Sequence, residues 1–377
     1  MSRMNNLLVG NGINIQFNKN DYTTQSIVLR ILEDLDEHDF PSHIIIDEPI
    51  LQKEYIGRLF LFARKAIEGY FNDSTTCTAE KIALVDFIER YKDKKNSLRI
   101  TDIGFEDYYL IHDLVCHKYG IVNPEQYFVR ESLRLSYLYA IYNRGKLNLL
   151  HKQYSDSFKN FLLGFDSIFT TNYDSNIEAA IGKEVFHIHG QFDRMSEVYN
   201  PESFRNQMND APIADTIIDL QYGYLYSTAL STYCGDYKQY QIKQKELANS
   251  VVEKLAEGYI SNVTVRDDVD KWEASNNQLV VNMANAVKLK IARPELRFQE
   301  DYPINELMNI SGSLTILGLS PYNDYHLFDI IDNADLSECI YYFFSSSERD
   351  KVKSIFPKLN ASGKLRFRSV EDFWRAM

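Results

Sequence analysis

The stretch IFTTNYDSNIEAAIGKEVFHIHG, residues 168–190, decides the fold of this chain. In it an apolar IF pair passes into TTNYD, and an apolar VF pair passes into HIHG. Residues 176–180, between the two transitions, have a helical pattern, so the stretch predicts a strand, a helix and a strand. Open parallel sheets bind their ligands outside the carboxyl ends of the strands. We therefore expect Asn172, Asp174 and His189 to lie at a ligand-binding edge.

The same alternation of strand and helix appears near both ends of the chain. A short apolar strand opens the sequence, and the alternation resumes after residue 312. Such spacing is typical of a parallel sheet with right-handed crossovers. We therefore predict an α/β fold, a Rossmann-like parallel sheet with two helical insertions. The further strands are predicted at residues 6–9, 313–317, 339–344 and 365–367, and the helices beside them at residues 154–163, 325–331, 348–356 and 370–377.

Two long segments with helical periodicity separate the strands of this sheet. The first has charged faces opposite apolar ones and little glycine, and the second contains a strongly amphipathic helix. We predict a discontinuous nucleotide-binding domain at residues 1–20, 155–200 and 305–377, with helical insertions at residues 21–154 and 201–304. Within the insertions, helices are predicted at residues 27–32, 56–67, 79–91, 130–141, 213–230, 239–257 and 269–292, and a strand at residues 43–46.

The charge of the chain argues against a main role in nucleic-acid binding. It has 53 acidic and 41 basic residues and a net charge of −12, whereas phosphate contacts need clustered lysine and arginine. The sequence contains no run of about 18 apolar residues, so no membrane span is expected. The first strand begins almost at the N-terminus, which leaves no room for a signal peptide. We therefore expect a cytoplasmic protein that binds neither nucleic acid nor membrane directly.

The cysteines indicate neither a zinc ribbon nor a disulfide framework. Cys77, Cys116, Cys234 and Cys339 lie far apart, and none belongs to a C-x-x-C pair. Zinc ribbons and disulfide-rich domains both need cysteines at closer, paired spacings. The adjacent pair Cys116 and His117 has no second pair at zinc-finger spacing, and we interpret both residues as structural. We therefore expect no metal.

The first strand opens into a Gly-x-Gly turn. Residues 10–14 read GNGIN, and a helix is predicted to follow. Backbone N–H groups that no side chain covers, with a helix dipole behind them, suit a pyrophosphate. The third glycine of the G-x-G-x-x-G fingerprint is missing, so a plain β-turn is the alternative. Both explanations stay open at this point.

Four motifs in this order make the chain resemble the sirtuin-like superfamily. Sirtuins carry a Gly-Ala-Gly phosphate turn, a Thr-Gln-Asn-Ile-Asp strand end, a His-Gly pair and a Gly-Thr-Ser strand end. The segments VGNGINIQF and HIHG are also similar to those of AbiH-type abortive-infection proteins. The segments of this chain that match the four sirtuin motifs are Gly10-Asn11-Gly12, Thr170-Thr171-Asn172-Tyr173-Asp174, His189-Gly190 and Gly318-Leu319-Ser320.

Two departures separate the chain from the deacetylating sirtuins. It has no zinc module with two C-x-x-C pairs, and no Pro-Asp-Phe-Arg segment follows the glycine turn. The chain is more similar to the bacterial anti-phage sirtuin-like enzymes, which hydrolyse NAD to starve an infected cell. Similar chains act as large oligomers, and some of them pair with a HerA-type ATPase translocase. The resemblance therefore implies a homo-oligomeric NAD glycohydrolase that yields nicotinamide and ADP-ribose, with a HerA-type partner in some members.

The resemblance also implies roles for the residues at the strand ends. Asn172 would position the nicotinamide ribose and the attacking water, and His189 would be the general base. Asp174 would orient the ribose or the nicotinamide side of the pocket. The residues expected to bind NAD, in the glycine turn and at two other strand ends, are Gly10, Asn11, Gly12, Asn14, Thr171, Gly318, Ser320 and Asp324.

Each of these residues has a structural explanation as well. Asn172 is of a type that forms turns, and a lone strand-end histidine such as His189 is more often structural. The polar residues at 320–324 are of types that cap helices. We interpret His187 as structural and expect His326, on the following helix, to be exposed.

Two other functions stay open beside NAD hydrolysis. A sensor that binds NAD or ADP-ribose without turnover would keep the phosphate turns and would not need His189. A protein deacylase or ADP-ribosyltransferase is disfavoured because the zinc module is missing. The presence of both Asn172 and His189 favours an enzyme over a sensor.

Overall fold

One parallel sheet of six strands forms the centre of the chain, in the order β3-β2-β1-β4-β5-β6. The strands are β1 (Asn5–Val9), β2 (Ser167–Thr170), β3 (Phe186–His187), β4 (Ser311–Leu317), β5 (Asp335–Phe343) and β6 (Leu365–Ser369). The computed structural model describes residues 4–36, 40–41, 48–122, 125–200, 203–207, 218–230, 235–300, 302–322 and 324–377.

The strand order confirms the predicted α/β, Rossmann-like sheet. β1 pairs in parallel with β2 on one side and with β4 on the other, so the direction of strand succession reverses between β1 and β4. Both faces of the sheet are covered: Leu7 and Val9 of β1 belong to one core cluster, and Leu8 belongs to the other. A parallel strand covered on both faces needs an unbroken apolar run, which is what these residues supply. Ligands of such sheets bind where the strand order reverses.

Helices cover both faces of the sheet and form the two insertions. The α-helices are, in chain order, α1 (Gly12–Phe17), α2 (Lys19–Tyr22), α3 (Thr24–Asp34), α4 (Pro49–Ile67), α5 (Thr78–Tyr91), α6 (Phe105–Tyr119), α7 (Glu125–Tyr142), α8 (Asp156–Leu163), α9 (Asn176–Ile181), α10 (Phe204–Gln207), α11 (Gly235–Ser261), α12 (Val263–Trp272), α13 (Gln278–Ala292), α14 (Ile304–Met308), α15 (Tyr325–Asn333), α16 (Ser346–Ile355), α17 (Pro357–Ala361) and α18 (Val370–Ala376). Residues of α1, α8, α9 and α18 join the core on one face of the sheet, and residues of α14 to α17 join the core on the other.

The first insertion is a helical unit with a core of its own, rich in tyrosine. The four helices predicted from its sequence are confirmed as α3, α4, α5 and α7. The predicted strand at residues 43–46 lies outside the described residues. The same core also takes in Phe192, Tyr199, Leu225 and Tyr226. The segment that follows β3 therefore packs on the first insertion and ties it to the end of the sheet.

Helix α6 of the first insertion was not predicted from the sequence. Every residue from 107 to 116 is buried, so the helix has no polar face. A helix that is apolar or buried all round shows no amphipathic period, which is the signal that sequence patterns detect. Its burial makes α6 the central helix of this insertion.

The helices in the described part of the second insertion differ in several places from those predicted. Helix α11 confirms the prediction at residues 239–257. The single helix predicted at residues 269–292 is wrong, since α12 and α13 are separate helices. In the break, Ser275 Oγ accepts a hydrogen bond from the backbone N–H of Asn277 (3.1 Å), a local bond that competes with helix continuation. Of the helix predicted at residues 213–230, residues 220–226 form a 3₁₀-helix (Leu220–Tyr226), whereas residues 218–219 and 227–230 are not helical. Residues 213–217 lie outside the described residues.

Two expectations about the chain as a whole can be compared with the structure. Within the part of the chain that is described, no helix combines the length and the apolarity needed to cross a bilayer. Cys77, Cys116 and Cys339 are free thiols, and Cys234 lies outside the described residues.

Arg134 on α7 holds the segment after β3 in place. The guanidinium is fully enclosed and bonds Glu131 on its own helix (3.0 Å) as well as the hydroxyl of Tyr199 (3.2 Å). It also donates to four backbone carbonyls at 2.5–3.2 Å, those of Leu225, Ser227, Ala229 and Leu230. An arginine has five N–H donors in a fixed fork. One side chain therefore reaches all six acceptors, with the two N–H groups of Nη1 shared among three of them.

Substitution Arg134→Lys is expected to destabilise the chain by about 1–3 kcal/mol. Lysine keeps the charge but has three donors on one atom, so several buried carbonyls lose their partners. The free energy of unfolding in urea measures the effect, and Arg58→Lys on the exposed surface of α4 is the matched control. A loss equal to that of the control would mean that the carbonyls find other partners.

Candidate active site

The glycine turn after β1 packs directly against the end of β4. The N–H of Gly10 donates to the carbonyl of Leu317 (3.1 Å), and the N–H of Gly12 donates to that of Gly318 (2.8 Å). A Cβ on Gly12 would lie 2.5 Å from the Cα of Gly318, and a Cβ on Gly10 would lie 2.6 Å from the carbonyl oxygen of Gly318. Gly318 has φ +71°, which favours glycine. The close approach of two backbones explains these glycines, and two of the N–H groups expected to face a pyrophosphate are already bonded within the chain.

Asn172 lies beside this turn. Its backbone N–H is held by the hydroxyl of Thr170 (3.0 Å), and its side-chain amide approaches the carbonyl of Gly10 at 3.4 Å. The residue is buried, with 9% of its surface exposed. The amide that was predicted to contact the ribose therefore lies at the edge where the strand order reverses, in a long hydrogen bond that a ligand can replace.

His187 contacts the backbone of Asn172. Its Nδ1 lies 2.9 Å from the carbonyl of Asn172, and its Nε2 lies 2.6 Å from a carboxylate oxygen of Glu178 on α9. Burial lowers the pKa of His187. The hydrogen bond and the charge of Glu178 raise this pKa by more than burial lowers it, so the pKa of His187 is above its ordinary value. These contacts are those of a structural residue, in keeping with the interpretation from sequence.

Substitution Glu178→Gln is expected to cost about 1.5–3 kcal/mol of stability in mild acid and less in base. A bond between two charged partners is stronger than a neutral one. Because the folded pKa of His187 is raised, its contribution is complete below the unfolded pKa and is lost as the pH rises through the folded value. Unfolding in urea at pH 5.5 and pH 9 measures the difference between wild type and variant. An equal difference at both pH values would show that the imidazolium does not contribute.

Asp174 and Asn14 form a buried pair that fastens α1 to α9. One carboxylate oxygen of Asp174 accepts from the side-chain amide of Asn14 (2.8 Å), and the other accepts from the amide of Asn176 (2.6 Å) and its backbone N–H (3.1 Å). Burial raises the pKa of Asp174, and these hydrogen bonds oppose that effect. Both oxygens are thus engaged by the chain itself, which is the pattern of a structural carboxylate. A role of Asp174 toward the ribose stays a prediction.

A cluster of two histidines and an aspartate lies at the same edge of the sheet. Nε2 of His189 lies 3.2 Å from Nε2 of His326, and the rings are stacked with centroids 5.3 Å apart. A carboxylate oxygen of Asp324 lies 3.6 Å from Nε2 of His189. Both histidines are buried, with 5% and 3% of their surfaces exposed. The expectation that His326 is exposed is therefore wrong, since its ring is packed against His189.

Asp324 occupies the N-cap position of α15, as its residue type suggests. Among the described residues, however, its side chain accepts no capping hydrogen bond. The carboxylate lies near His189 instead. Helix capping therefore does not explain this residue, and its position beside an imidazole is that of a group that can stabilise a positive charge.

Three other residues predicted to bind NAD make hydrogen bonds within the chain. The Asn11 side chain donates to the carbonyl of Tyr22 (2.9 Å), and the backbone N–H of Thr171 donates to the carbonyl of Val9 (3.0 Å). Ser320 is exposed, and its hydroxyl accepts a long hydrogen bond (3.4 Å) from the backbone N–H two residues on. Their contacts with a ligand stay predictions.

A scan against protein-family models, a search of the curated proteins and a search of the solved structures each find no match to this chain. The resemblance to sirtuin-like enzymes therefore rests on the four motifs and on the fold. Each motif follows the carboxyl end of a strand, β1, β2, β3 and β4 in turn, so the four meet at one edge.

Proposed function

We propose that this chain binds NAD where its strand order reverses and cleaves it to nicotinamide and ADP-ribose. The observation that supports this most is the position of His189, a buried imidazole with a carboxylate 3.6 Å away and a second imidazole 3.2 Å away. Imidazole is the side chain that most often serves as a general base. The neighbouring Asn172 amide and the glycine turn supply polar groups for the ribose and the phosphates.

The chemistry asks three things of the protein. The nicotinamide–ribose bond breaks through an oxocarbenium-like state, so the ribose must be held while the leaving group departs. A water or a ribose hydroxyl must then lose a proton to a base. In the proposal His189 accepts this proton. The charge of Asp324, whose carboxylate lies 3.6 Å from Nε2 of His189, stabilises the imidazolium that forms. Asn172 orients the ribose by exchanging its long bond to Gly10 for one to the ligand.

Asn14 provides a further group for the ribose. Its Nδ2 faces the carboxylate of Asp174, which only accepts hydrogen bonds when ionised. Its Oδ1 is buried and accepts no hydrogen bond within the described chain. A buried acceptor without a partner is costly, and a ribose hydroxyl is a donor that would satisfy it.

The biological setting is part of the same proposal and rests on the resemblance alone. It comprises NAD depletion in bacterial anti-phage defence, a cytoplasmic location, a homo-oligomer and a HerA-type partner. Deacylation is not proposed, since the zinc module of the deacetylating sirtuins is missing from the sequence.

The test is chromatographic detection of nicotinamide and ADP-ribose after incubation of the purified chain with NAD. It is run on the chain alone and with any partner that co-purifies, because an unregulated NADase would kill its host. Nicotinamide and ADP-ribose in equal amounts are the expected products. Binding of NAD without any product, alone or with the partner, would overturn the hydrolase and support the sensor.

A further inference from the structure

We propose that His189, Asp324 and His326 bind a divalent transition-metal ion of the Zn²⁺ type. Each of the three offers one ligand atom, and these atoms all lie within 4.8 Å of one another. The inference goes beyond the proposed function, because nothing in NAD cleavage by a histidine base requires a metal. It also differs from the expectation from sequence, which was that the chain binds no metal.

The distances fit a shared ion. Zinc–nitrogen bonds of about 2.0–2.1 Å at a tetrahedral angle place neighbouring ligand atoms about 3.3 Å apart. The two Nε2 atoms are 3.2 Å apart, and Nε2 of His189 is 3.6 Å from the carboxylate of Asp324. The third distance, between the ligand atoms of Asp324 and His326, is at most 4.8 Å.

The donor types select the class of metal. Two imidazoles and one carboxylate are ligands for zinc and for the later divalent transition metals, whereas Mg²⁺ and Ca²⁺ prefer oxygen ligands alone. Three protein ligands leave a coordination position for water. Both histidines are buried, and the Asp324 side chain is 14% exposed, so the cluster lies in a largely desolvated place with one side near solvent.

A proton shared by the two imidazoles is the alternative explanation of the short Nε2–Nε2 distance. In that arrangement one hydrogen lies between the two rings, and Asp324 stabilises the positive charge of the protonated imidazole pair. It needs no metal, so it makes the opposite prediction in a binding experiment. The metal explanation accounts for the convergence of all three groups on one point.

Metal binding has a consequence for the proposed reaction, and this consequence rests on the proposed function. Nε2 of His189 has one lone pair, so it cannot bind a metal and accept a proton at once. Zn²⁺ should therefore suppress NAD cleavage, and a chelator should restore it. A metal at this position would keep the enzyme inactive until it is removed.

The test is titration of the metal-stripped full-length chain with Zn²⁺ alone, in competition with a chromophoric chelator and without NAD. Wild type should bind one equivalent. His326→Ala and Asp324→Asn should bind Zn²⁺ at least about 100-fold more weakly than wild type. Substitution of residues that only support metal ligands already lowers metal affinity by about 10–100-fold. His117→Ala, at a histidine of α6 whose Nδ1 lies 3.6 Å from Glu80, is the matched control and should bind like wild type.

Two outcomes would overturn the inference. One is the absence of stoichiometric binding by wild type, and the other is equal affinity of wild type and Asp324→Asn. The asparagine is nearly isosteric with aspartate, so it decides the question even where His326→Ala fails to fold, which circular dichroism would show. NAD cleavage is measured separately in the presence of chelator. Metal binding without NAD cleavage would support this inference and contradict the proposed function. NAD cleavage without metal binding would support the proposed function and contradict this inference.

Discussion

Substitution His189→Gln is expected to lower kcat for NAD cleavage by about 10²–10⁴-fold, the usual contribution of a general base. Glutamine fills much of the same volume and keeps a polar end, but it cannot take up a proton. Because the loss falls on the chemical step, KM should change little. Product formation is measured by chromatography in the presence of chelator, so that metal occupancy does not enter, and NAD affinity is measured by titration.

The matched control for this prediction is His117→Gln. His117 lies on α6 of the first insertion and contacts Glu80 there, so turnover should stay at the wild-type level. Urea unfolding of both variants separates a catalytic loss from a folding loss. Unchanged turnover in His189→Gln would remove His189 from the mechanism. A raised KM with unchanged kcat would instead assign it to substrate binding.

The sheet could be predicted because its signals are local. β1 has an unbroken apolar run, and the apolar run of β4 is interrupted only by Thr315, close to what strands covered on both faces require. The residues after them, Gly10 and Gly318, mark the ends of those strands. The parallel pairing of the strands was predicted from the alternation of strand and helix, whereas their order in the sheet is known only from the structure. Helix α6 could not be predicted in the same way, because a helix buried all round has no amphipathic period.

The candidate site could be predicted only in part, because it depends on long-range packing. His189 follows β3 at one end of the sheet, whereas His326 follows β4, on the other side of β1 and β2. Their contact joins residues 137 positions apart in the sequence, and no local pattern shows it. For Asp174 the local signal was present, because its position at a strand end suggested catalysis. In the structure both of its carboxylate oxygens accept hydrogen bonds from within the chain, a contact that the sequence did not show.

Substitution Gly12→Ala is expected to destabilise the chain by about 3 kcal/mol or more. The new Cβ would lie 2.5 Å from the Cα of Gly318 and 2.9 Å from its carbonyl oxygen. Both obstacles are backbone atoms, so no rotamer change can relieve the contact, and the turns after β1 and β4 must move apart. That movement would also strain the hydrogen bond from the N–H of Gly12 to Gly318. The free energy of unfolding in urea measures the loss.

Gly57→Ala on α4 is the control, because an added Cβ there meets no atom within 4 Å. Alanine at an open helical position should stabilise the chain by about 0.5–1 kcal/mol. The pair of variants also separates two explanations of the glycine turn. If Gly12 serves only to let a pyrophosphate approach, Gly12→Ala should weaken NAD binding at unchanged stability. A large loss of stability would instead show that the glycine is needed first for the contact between the two turns, and that any phosphate is bound by groups around a junction which the fold itself requires.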